Sequence, residues 1–225
     1  MVFFAAYNSP LGLIVIESDG EALTGLQFAD ENVCSCKTER GETETGMMEW
    51  GEMSCGMMEH NDAGVSKNEH CKAVSAIPVI AATVRWLDDY FSGKQTENAT
   101  MGKQPENVTI GNQTENATIS AKADARIVIK AKGTMFQLRV WQALLTIPYG
   151  ETVSYGEIAR MVGCKSAQAV GQAVGANPIA ILIPCHRVIA ANGNLGGYAY
   201  GEEKKKRLLS WEQQSKFKTS VGKSQ

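Results

Sequence analysis

Two long polar segments, residues 31–72 and 93–119, interrupt the first half of the chain and leave only short apolar stretches around them. The second segment consists of a nine-residue repeat: GKQTENATM, GKQPENVTI and GNQTENATI. Three units of nine are too short for a repeat array with its own core, and their polar composition favours a disordered or loosely extended loop. Any core in this half must therefore be assembled from short strands and helices outside both segments.

The apolar stretches predict a small antiparallel sheet and one helix. Residues 2–7, 11–17 and 23–28 alternate or run apolar and are separated by turn-forming residues, as expected for three strands. Residues 77–91 have the apolar spacing of an amphipathic helix. Residues 126–130 (RIVIK) predict a further strand.

The second half of the chain has a helical pattern. Phe136 to Leu145 carries apolar side chains at helical spacing. Two shorter helices follow: Tyr155 to Met161, with Ser154 as its N-cap, and Ala167 to Gly175, which begins after Ser166. Two short helices joined by a glycine-containing turn are typical of a helix-turn-helix. The second helix has mostly small side chains, so it can lie against a DNA backbone or pack tightly on another helix.

The charges are divided unevenly between the two halves. Residues 1–130 carry 10 lysines and arginines against 19 acidic residues, a net charge of −9, whereas residues 131–225 carry 12 against 5, a net charge of +7. This division favours a polyanion as the partner of the second half. The alternative is a solvated basic tail, since Lys204 to Arg207 form one cluster and Lys216, Lys218 and Lys223 another.

The six cysteines are too sparse for the disulfide framework of a small secreted domain, so we expect them to be reduced. Some cysteines and histidines of the first polar segment suit zinc, but their spacing matches no usual structural zinc site. We therefore expect no cofactor, with a structural zinc as the alternative. The residues concerned are Cys34, Cys36, Cys55, His60, His70 and Cys71.

The chain gives no sign of a membrane segment. No apolar run approaches the ~18–20 residues that span a bilayer. The first residues, MVFFAAYNSP, lack the basic region of a signal peptide. We expect a cytoplasmic location, no membrane partner and a monomer.

A cysteine stands directly beside a histidine in the sequence IPCHRV, residues 183–188. The thiolate of a cysteine is the reactive species, and a neighbouring base makes it available near neutral pH. Pro184 stiffens the backbone that presents Cys185. A packed core cysteine beside a neutral histidine is the alternative interpretation.

The segments around this pair resemble the O6-alkylguanine-DNA alkyltransferase family, the suicide DNA repair proteins. The resemblance lies in IPYGETVSYGEIAR (147–160), AVGQAVGANP (169–178) and IPCHRVIAANGNLGGYAYG (183–201), in this order, and more weakly in YNSPLG (7–12). It implies a ribonuclease-H-like α/β domain over residues 1–130. A mainly helical domain with a winged-helix-like helix-turn-helix would follow over residues 131–213, and then a basic flexible tail over residues 214–225.

The resemblance implies a role for each of four catalytic residues. Cys185 would attack the alkyl carbon and keep the alkyl group as a stable thioether, so each molecule would act once. His186 would take the thiol proton through a bound water, and Glu212 would hold the imidazole in the correct tautomer. Asn177 would support the active-site turn. Without the resemblance, Glu212 would be interpreted as a surface glutamate on a helix.

The family also implies residues that bind the alkylated base and the DNA duplex. Tyr155 would bind and polarise the guanine, Tyr198 would line the pocket, and Val188 and the backbone around Cys185 would contact the base edge. Ala199 stands where some members have serine, so only its backbone N–H could contribute. A flipped-out base and minor-groove binding, mostly to phosphates, would suit lesions in any sequence context. The candidate DNA-binding residues are Gln168, Ala169, Gly171, Arg160 and Lys165, with Arg139 and Arg187 as further basic candidates.

Two positions depart from the family pattern. Gln168 replaces the arginine that fills the gap left by the flipped base, so we expect weaker DNA binding or slower flipping. Tyr200 stands where many members have a small residue, so we expect large adducts to be restricted. Arg187 has a second interpretation, as a structural ion pair within the protein.

Two other functions remain as alternatives. A non-enzymatic protein that binds alkyl lesions would lack the cysteine, so Cys185 argues against it. A thiol hydrolase using Cys185, His186 and Glu212 would turn over repeatedly, but the sequence offers no obvious oxyanion hole. The hypothesis that the sequence favours is single-turnover repair of O6-alkylguanine, with O4-alkylthymine as a further substrate, in double-stranded DNA.

Overall fold

The structure, a computed structural model, describes residues 2–29, 57–58, 77–92, 109–111, 117–124 and 127–221. Seven strands in these residues form one mixed sheet. They are β1 (Phe3–Ser9), β2 (Gly12–Ser18), β3 (Leu23–Phe28), β4 (Met57–Met58), β5 (Thr109–Gly111), β6 (Ala117–Asp124) and β7 (Ile127–Gly133). Their order across the sheet is β4-β1-β2-β3-β7-β6-β5.

The three predicted N-terminal strands are confirmed as an antiparallel meander. Tyr7 of β1 lies opposite Ile14 of β2, and Ile14 lies opposite Phe28 of β3. Alternation along β2 turns Ile14, Ile16 and Ser18 into the interior. Strand β3 then pairs in parallel with β7, so the meander continues into a sheet of mixed direction.

Part of the repeat segment forms strands, which corrects the expectation of a loop. Residues 109–111 belong to β5 and residues 117–124 to β6, and β6 pairs antiparallel along β7. The threonines and isoleucines of the repeat favour strands, and β7 offers them an edge. Strand β7 itself extends beyond the predicted residue 130 to Gly133.

The absence of a cofactor stays an expectation, and so does its alternative, a structural zinc site. Its candidate ligands at positions 34, 36, 55, 60, 70 and 71 lie outside the described residues. Within the described residues, no group of three or more His, Cys, Asp or Glu is arranged to hold a metal ion.

The helix predicted over residues 77–91 is confirmed as α1 (Pro78–Ser92). Proline suits the first helical position because its missing N–H would have no partner there. Ile80, Thr83, Leu87 and Tyr90 recur at helical spacing and are all buried. This face packs against β1, β2 and β7, so α1 covers one side of the sheet.

The predicted C-terminal helices are also confirmed. They are α2 (Met135–Leu144), α3 (Tyr155–Met161) and α4 (Ala167–Gly175). Capping boxes start α2, from Thr134 and Gln137, and α3, from Ser154 and Glu157. After α3 the chain turns at Gly163, whose φ of +67° favours glycine.

The last helix, α5 (Glu202–Val221), corrects the expectation of a flexible tail from residue 214. The chain has no glycine or proline between residues 202 and 221 that would end the helix. Its inward side carries Lys205, Leu208 and Glu212, all fully buried. The cluster at residues 204–207 is therefore not uniformly solvated.

The segment before the cysteine is attached to the main sheet. Leu26 of β3 donates its N–H to the carbonyl of Pro178 over 2.9 Å and accepts the N–H of Ala180 over 2.7 Å. A second small sheet pairs β8 (Val153–Ser154) in parallel with β9 (Val188–Ile189). Strands on both sides of Cys185 thus fix this stretch of chain. No helix in the described residues is long and apolar enough to cross a membrane.

Candidate active site

Cys185 begins a short 3₁₀ turn after two tight turns of the backbone. One turn is centred on Ile181 and the other on Pro184, and each is closed by an N–H···O hydrogen bond of 2.7 Å between its flanking residues. Ile181 has a φ of +66°, in the left-handed region that β-branched residues rarely adopt. Such a residue costs about 1–3 kcal/mol and persists only where the surroundings hold it.

The side chain of Asn177 holds these turns together. Its Nδ2 donates to the carbonyls of Ile183 at 2.8 Å and Ile179 at 3.2 Å, and its Oδ1 accepts the N–H of Ile179 at 3.0 Å. The same Nδ2 lies 3.1 Å from Sγ of Cys185. Asn177 therefore positions the nucleophile both through the backbone and directly.

Cys185 is buried, with 4% of the residue exposed. Burial raises the pKa of the thiol above its usual value, while the hydrogen bond from Asn177 and the charge of Lys205 offset part of the rise. The cysteine is therefore protonated at rest, and a base must take its proton before it can act as a nucleophile.

His186 and Glu212 supply a base and a carboxylate that orients it. His186 Nε2 lies 2.8 Å from Oε1 of Glu212, and both side chains are fully buried. Burial lowers the pKa of His186, and Glu212 opposes part of this effect, so the imidazole is neutral at rest. Because Nε2 must carry the proton to bond a carboxylate, Nδ1 is the basic nitrogen. Nδ1 has no hydrogen-bond partner among the described residues.

Arg187 belongs to this buried network, which excludes it as a DNA contact and confirms its interpretation as a structural ion pair. Its Nε and Nη2 donate to the two oxygens of Glu212, both at 2.9 Å, and its Nη1 donates to the carbonyl of Ile147 at 2.7 Å. Burial alone would raise the pKa of Glu212, but His186 and Arg187 outweigh it and hold that pKa well below the usual range. Glu212 is therefore ionised.

A cavity of about 590 Å³ lies beside Cys185. Helix α4 forms one wall with Gln168 and Gly171, and the segment before α5 forms another. Val188 does not line it: its side chain is fully buried, and its carbonyl accepts a hydrogen bond of 2.6 Å from Lys205. The expected contact between Val188 and a bound base is therefore not supported. The remaining expected pocket residues, Tyr155, Tyr198 and Ala199, line the cavity together with Tyr200.

Three tyrosines shape this cavity. Tyr155 donates to the carbonyl of Gly197 over 3.4 Å, and burial and the neighbouring thiol raise its pKa, so it stays a donor. The buried Tyr198 hydroxyl has no hydrogen-bond partner in the described part of the chain. Tyr200 packs edge-on against Tyr198 and against Phe28 of β3, each with ring centroids 5.4 Å apart. The cavity wall is thus anchored on the main sheet.

The predicted DNA-binding residues lie around α3 and α4. Arg160 projects from α3 with 79% of its side chain exposed, and Lys165 is exposed in the turn between the helices. Gln168 is exposed beside the cavity, and Ala169 is half-buried. The structure therefore places two exposed basic side chains on α3 and on the turn that leads to the cavity-lining helix α4.

Comparison with known proteins identifies this arrangement. Residues 135–214 match the family described as 6-O-methylguanine DNA methyltransferase, DNA binding domain. A methylated-DNA–protein-cysteine methyltransferase of Mycobacterium leprae is 36% identical over 213 residues, which cover 94% of this chain and 93% of that protein. The chain belongs to the methylated-DNA–protein-cysteine methyltransferase family.

Other members of the methylated-DNA–protein-cysteine methyltransferase family extend the likeness. The Mycobacterium tuberculosis (strain ATCC 25618 / H37Rv) protein is 59% identical over 87 residues, 38% of this chain and 53% of that protein. The crystal structure of M. tuberculosis O6-methylguanine methyltransferase matches with a TM-score of 0.59 and 30% identity, over 96% of this chain and 94% of that one. M. tuberculosis OGT in complex with DNA matches with a TM-score of 0.58 and 30% identity, over 95% and 94%.

Sequence reasoning missed two residues of this methyltransferase site. Lys205 is fully buried, and its Nζ donates to the carbonyls of Val188, Leu195 and Gly197. Its place seven residues before Glu212 puts both on one helix face, a spacing that could have indicated burial. Tyr90 donates to Glu212 over 2.9 Å from 122 residues away, and no local pattern indicates that contact.

Proposed function

We propose that this protein repairs DNA by transferring the alkyl group from O6 of guanine to Sγ of its own Cys185, once per molecule. The observation that carries this proposal is the buried thiol at a cavity wall with a neutral, oriented imidazole next to it in the chain. Membership of the methylated-DNA–protein-cysteine methyltransferase family supports the same reaction. O4-alkylthymine is a further candidate substrate.

The residues supply a route for the proton and the alkyl group. His186 Nδ1 takes the thiol proton through a bound water, and Glu212 stabilises the resulting imidazolium. The thiolate attacks the alkyl carbon, so a carbon–sulfur bond forms as the carbon–oxygen bond breaks. The departing guanine takes up a proton from Tyr155, the candidate donor on the cavity wall, and the proton held by His186 then passes through water to restore the phenol. The thioether is stable, so the protein is consumed.

Double-stranded DNA is the proposed partner. We propose that α3 and α4 act as a helix-turn-helix, since they are joined by a short turn at Gly163. Arg160 and Lys165 would bind phosphates, and α4 would face the duplex with Gln168, Ala169 and Gly171, beside the cavity that takes the flipped base. The mixture of basic and small side chains suits contact independent of base sequence.

The remaining proposals concern the whole chain. We propose that the N-terminal unit is ribonuclease-H-like, which the antiparallel meander continued by the parallel strand β7 and covered by α1 supports. We also propose a monomer in the cytoplasm that needs no cofactor, since the transfer step uses only groups of the protein and its substrate. The second candidate function, lesion binding without transfer, would need the cavity but not the thiol, and the relatives, which are named as cysteine methyltransferases, do not favour it.

Intact-protein mass after incubation with a duplex containing one O6-methylguanine tests the proposal. We expect a gain of about one methylene (~14 Da) on Cys185 that saturates at one per molecule. Cys185→Ala should bind the lesion but gain no mass. Cys164→Ala, which removes the half-buried free cysteine between α3 and α4, is the matched control and should gain mass like the wild type. Lesion binding by the wild type without any gain would favour the second candidate.

A further inference from the structure

The Glu212 carboxylate is held from several separate parts of the chain. Its Oε1 accepts from Tyr90 Oη at 2.9 Å, His186 Nε2 at 2.8 Å and Arg187 Nη2 at 2.9 Å. Its Oε2 accepts from Arg187 Nε at 2.9 Å and the Gly150 N–H at 3.0 Å. Tyr90 and His186 therefore share one oxygen, although Tyr90 comes from α1, in the N-terminal unit.

Neighbouring aromatic rings hold the ring of Tyr90 in place. Its ring stacks on Trp86 with centroids 5.4 Å apart and meets Phe91 edge-on at 5.0 Å and Tyr149 edge-on at 6.0 Å. The indole N–H of Trp211, one residue before Glu212, donates to the Tyr90 carbonyl over 3.1 Å. These ring contacts and the hydrogen bond from α5 therefore hold the Tyr90 side chain in position beside Glu212.

The Tyr90 hydroxyl also stays protonated, so it remains a hydrogen-bond donor. Burial, followed by the charge of Glu212, holds the pKa of Tyr90 well above its usual value. The phenol therefore keeps its proton at neutral pH and donates it to Oε1. A neutral donor of this kind stabilises the ionised carboxylate without adding charge beside His186.

Arg187 fixes the plane of the Glu212 carboxylate but does not favour the oxygen that His186 binds over the other one. Its fork binds both oxygens of Glu212 and competes with His186 for Oε1. The Tyr90 hydroxyl is a further donor to Oε1, the oxygen that His186 binds, and thereby limits displacement of that oxygen from the imidazole. The orientation matters because the bond from Nε2 to Oε1 decides which imidazole nitrogen carries the proton.

We infer that Tyr90 is a positioning residue of the relay: its hydroxyl holds Glu212 so that His186 keeps its proton on Nε2 and presents Nδ1 to the thiol. Helix α1 therefore contributes to the reaction and does not serve only to pack the sheet. The inference rests on the proposed alkyl transfer and extends it to a residue of the N-terminal unit.

The test compares Tyr90→Phe with Tyr7→Phe. Tyr7 also donates its hydroxyl to α1, at 2.9 Å to Asp88, and is 6% exposed, as is Tyr90. Each substitution removes one tyrosine hydroxyl bonded to a carboxylate and keeps the ring packing, so both variants are expected to fold, which thermal unfolding verifies. Loss of one hydrogen bond to a charged group should slow single-turnover methyl transfer about tenfold in Tyr90→Phe. Tyr7→Phe should match the wild type.

The second readout is the tautomer of His186, from ¹⁵N NMR of the imidazole. The chain has three histidines, and the signals that vanish in His186→Gln identify this one. We expect the Nε2–H tautomer in the wild type and in Tyr7→Phe, and a mixture of tautomers in Tyr90→Phe. A merely structural hydroxyl would leave the tautomer unchanged.

The outcomes separate the two proposals. If the wild type transfers methyl and Tyr90→Phe matches Tyr7→Phe in both rate and tautomer, the role of Tyr90 is overturned. If the wild type gains no methyl group, the proposed function fails, and the tautomer comparison still decides whether Tyr90 positions Glu212 and His186.

Discussion

The Asn177 side-chain amide donates to the Cys185 thiol over 3.1 Å while it holds the Ile183 carbonyl over 2.8 Å. One amide therefore controls both the acidity of the nucleophile and the turn that presents it. The segment before Cys185 includes Ile181 in a left-handed conformation, so its shape depends on hydrogen bonds from surrounding residues. The thiol and the backbone conformation before it cannot be varied separately.

Asn177→Ala should reduce both the stability of the fold and the reactivity of the Cys185 thiol. The substitution leaves buried carbonyls unpaired, which should reduce the free energy of unfolding by about 1–3 kcal/mol. It also removes a donor that lowers the thiol pKa, so Cys185 should react more slowly with iodoacetamide at neutral pH. Urea unfolding and the alkylation rate measure the two effects. Asn192→Ala, in an exposed loop where Asn192 bonds its own turn, should change neither.

Lys205→Met should raise the thiol pKa. The buried ammonium of Lys205 favours the thiolate of Cys185, and methionine keeps the length of the side chain without the charge. A loss of about 1.4 kcal/mol would shift the pKa by one unit and slow thiol alkylation about tenfold at a pH below it. The pH profile of iodoacetamide alkylation gives the pKa. An unchanged profile, or the same shift in the exposed neighbour variant Lys206→Met, would contradict this role.

The stability of the fold should depend on the ionisation of Glu212. Its pKa in the folded protein lies well below the model-peptide value of 4.5, so the folded state binds fewer protons than the unfolded chain. Its contribution is therefore complete above about pH 5 and declines as the pH falls toward the folded pKa. The difference in unfolding free energy between the wild type and Glu212→Gln should shrink on acidification, as urea titrations from about pH 7 to pH 3 would measure. Glu203→Gln, an exposed change on the same helix, should give no such trend.

Gln168→Arg should tighten DNA binding and speed repair. An added phosphate contact would steepen the dependence of log affinity on log salt by about one, and an arginine beside the cavity would hold the space left by a flipped base. Gln172→Arg, one turn further along α4, adds the same charge at another cavity-lining position. Binding titrations should tighten for both variants, whereas single-turnover rates should rise chiefly for Gln168→Arg. Equal rates would show that charge alone matters.

Tyr200→Ala should widen the range of adducts that the protein accepts. The Tyr200 ring fills space between Tyr198 and Phe28 at the cavity, so its removal should admit a benzyl group. The ratio of transfer rates from O6-benzylguanine and O6-methylguanine duplexes should rise about tenfold, equivalent to about 1.4 kcal/mol. The methyl substrate is the internal control, and a constant ratio would show that Tyr200 does not limit adduct size.

The C-terminal helices could be predicted closely because their start and stop signals are local. Ser154 and Glu157 form the capping box that starts α3, and Gly163 supplies the left-handed residue after it. The meander was equally predictable, since its short apolar stretches are separated by turn-forming residues, Asn8 to Pro10 and Asp19 to Gly20. In these places the chain specifies its conformation within a few residues.

The partners of the buried charged side chains could not be predicted from local sequence pattern. Lys205 stands in a basic cluster of the sequence and is nevertheless buried, and the interpretation of Arg187 as a structural ion pair comes without an identified partner. Their partners are a carboxylate 25 residues away and the carbonyls of a loop. Tyr90 reaches Glu212 across 122 residues. A charged side chain can be buried only where hydrogen-bond or ion-pair partners are supplied, and these partners are distant in the sequence. The periodicity of apolar residues does not reveal them. The strands β5 and β6 were missed because polar composition outweighed the threonines and isoleucines of the repeat.

The position of α5 at the end of the described chain has a consequence for the newly made protein. Synthesis produces Cys185 and His186 before Glu212, the residue that orients the imidazole, and before Lys205, the cation that favours the thiolate. Until α5 docks against α1 and the turn at residues 185–187, the thiol has no aligned base. A nascent or partly unfolded molecule would therefore lack the relay that takes the thiol proton, and the capacity for its single irreversible repair reaction would arise only once folding is complete.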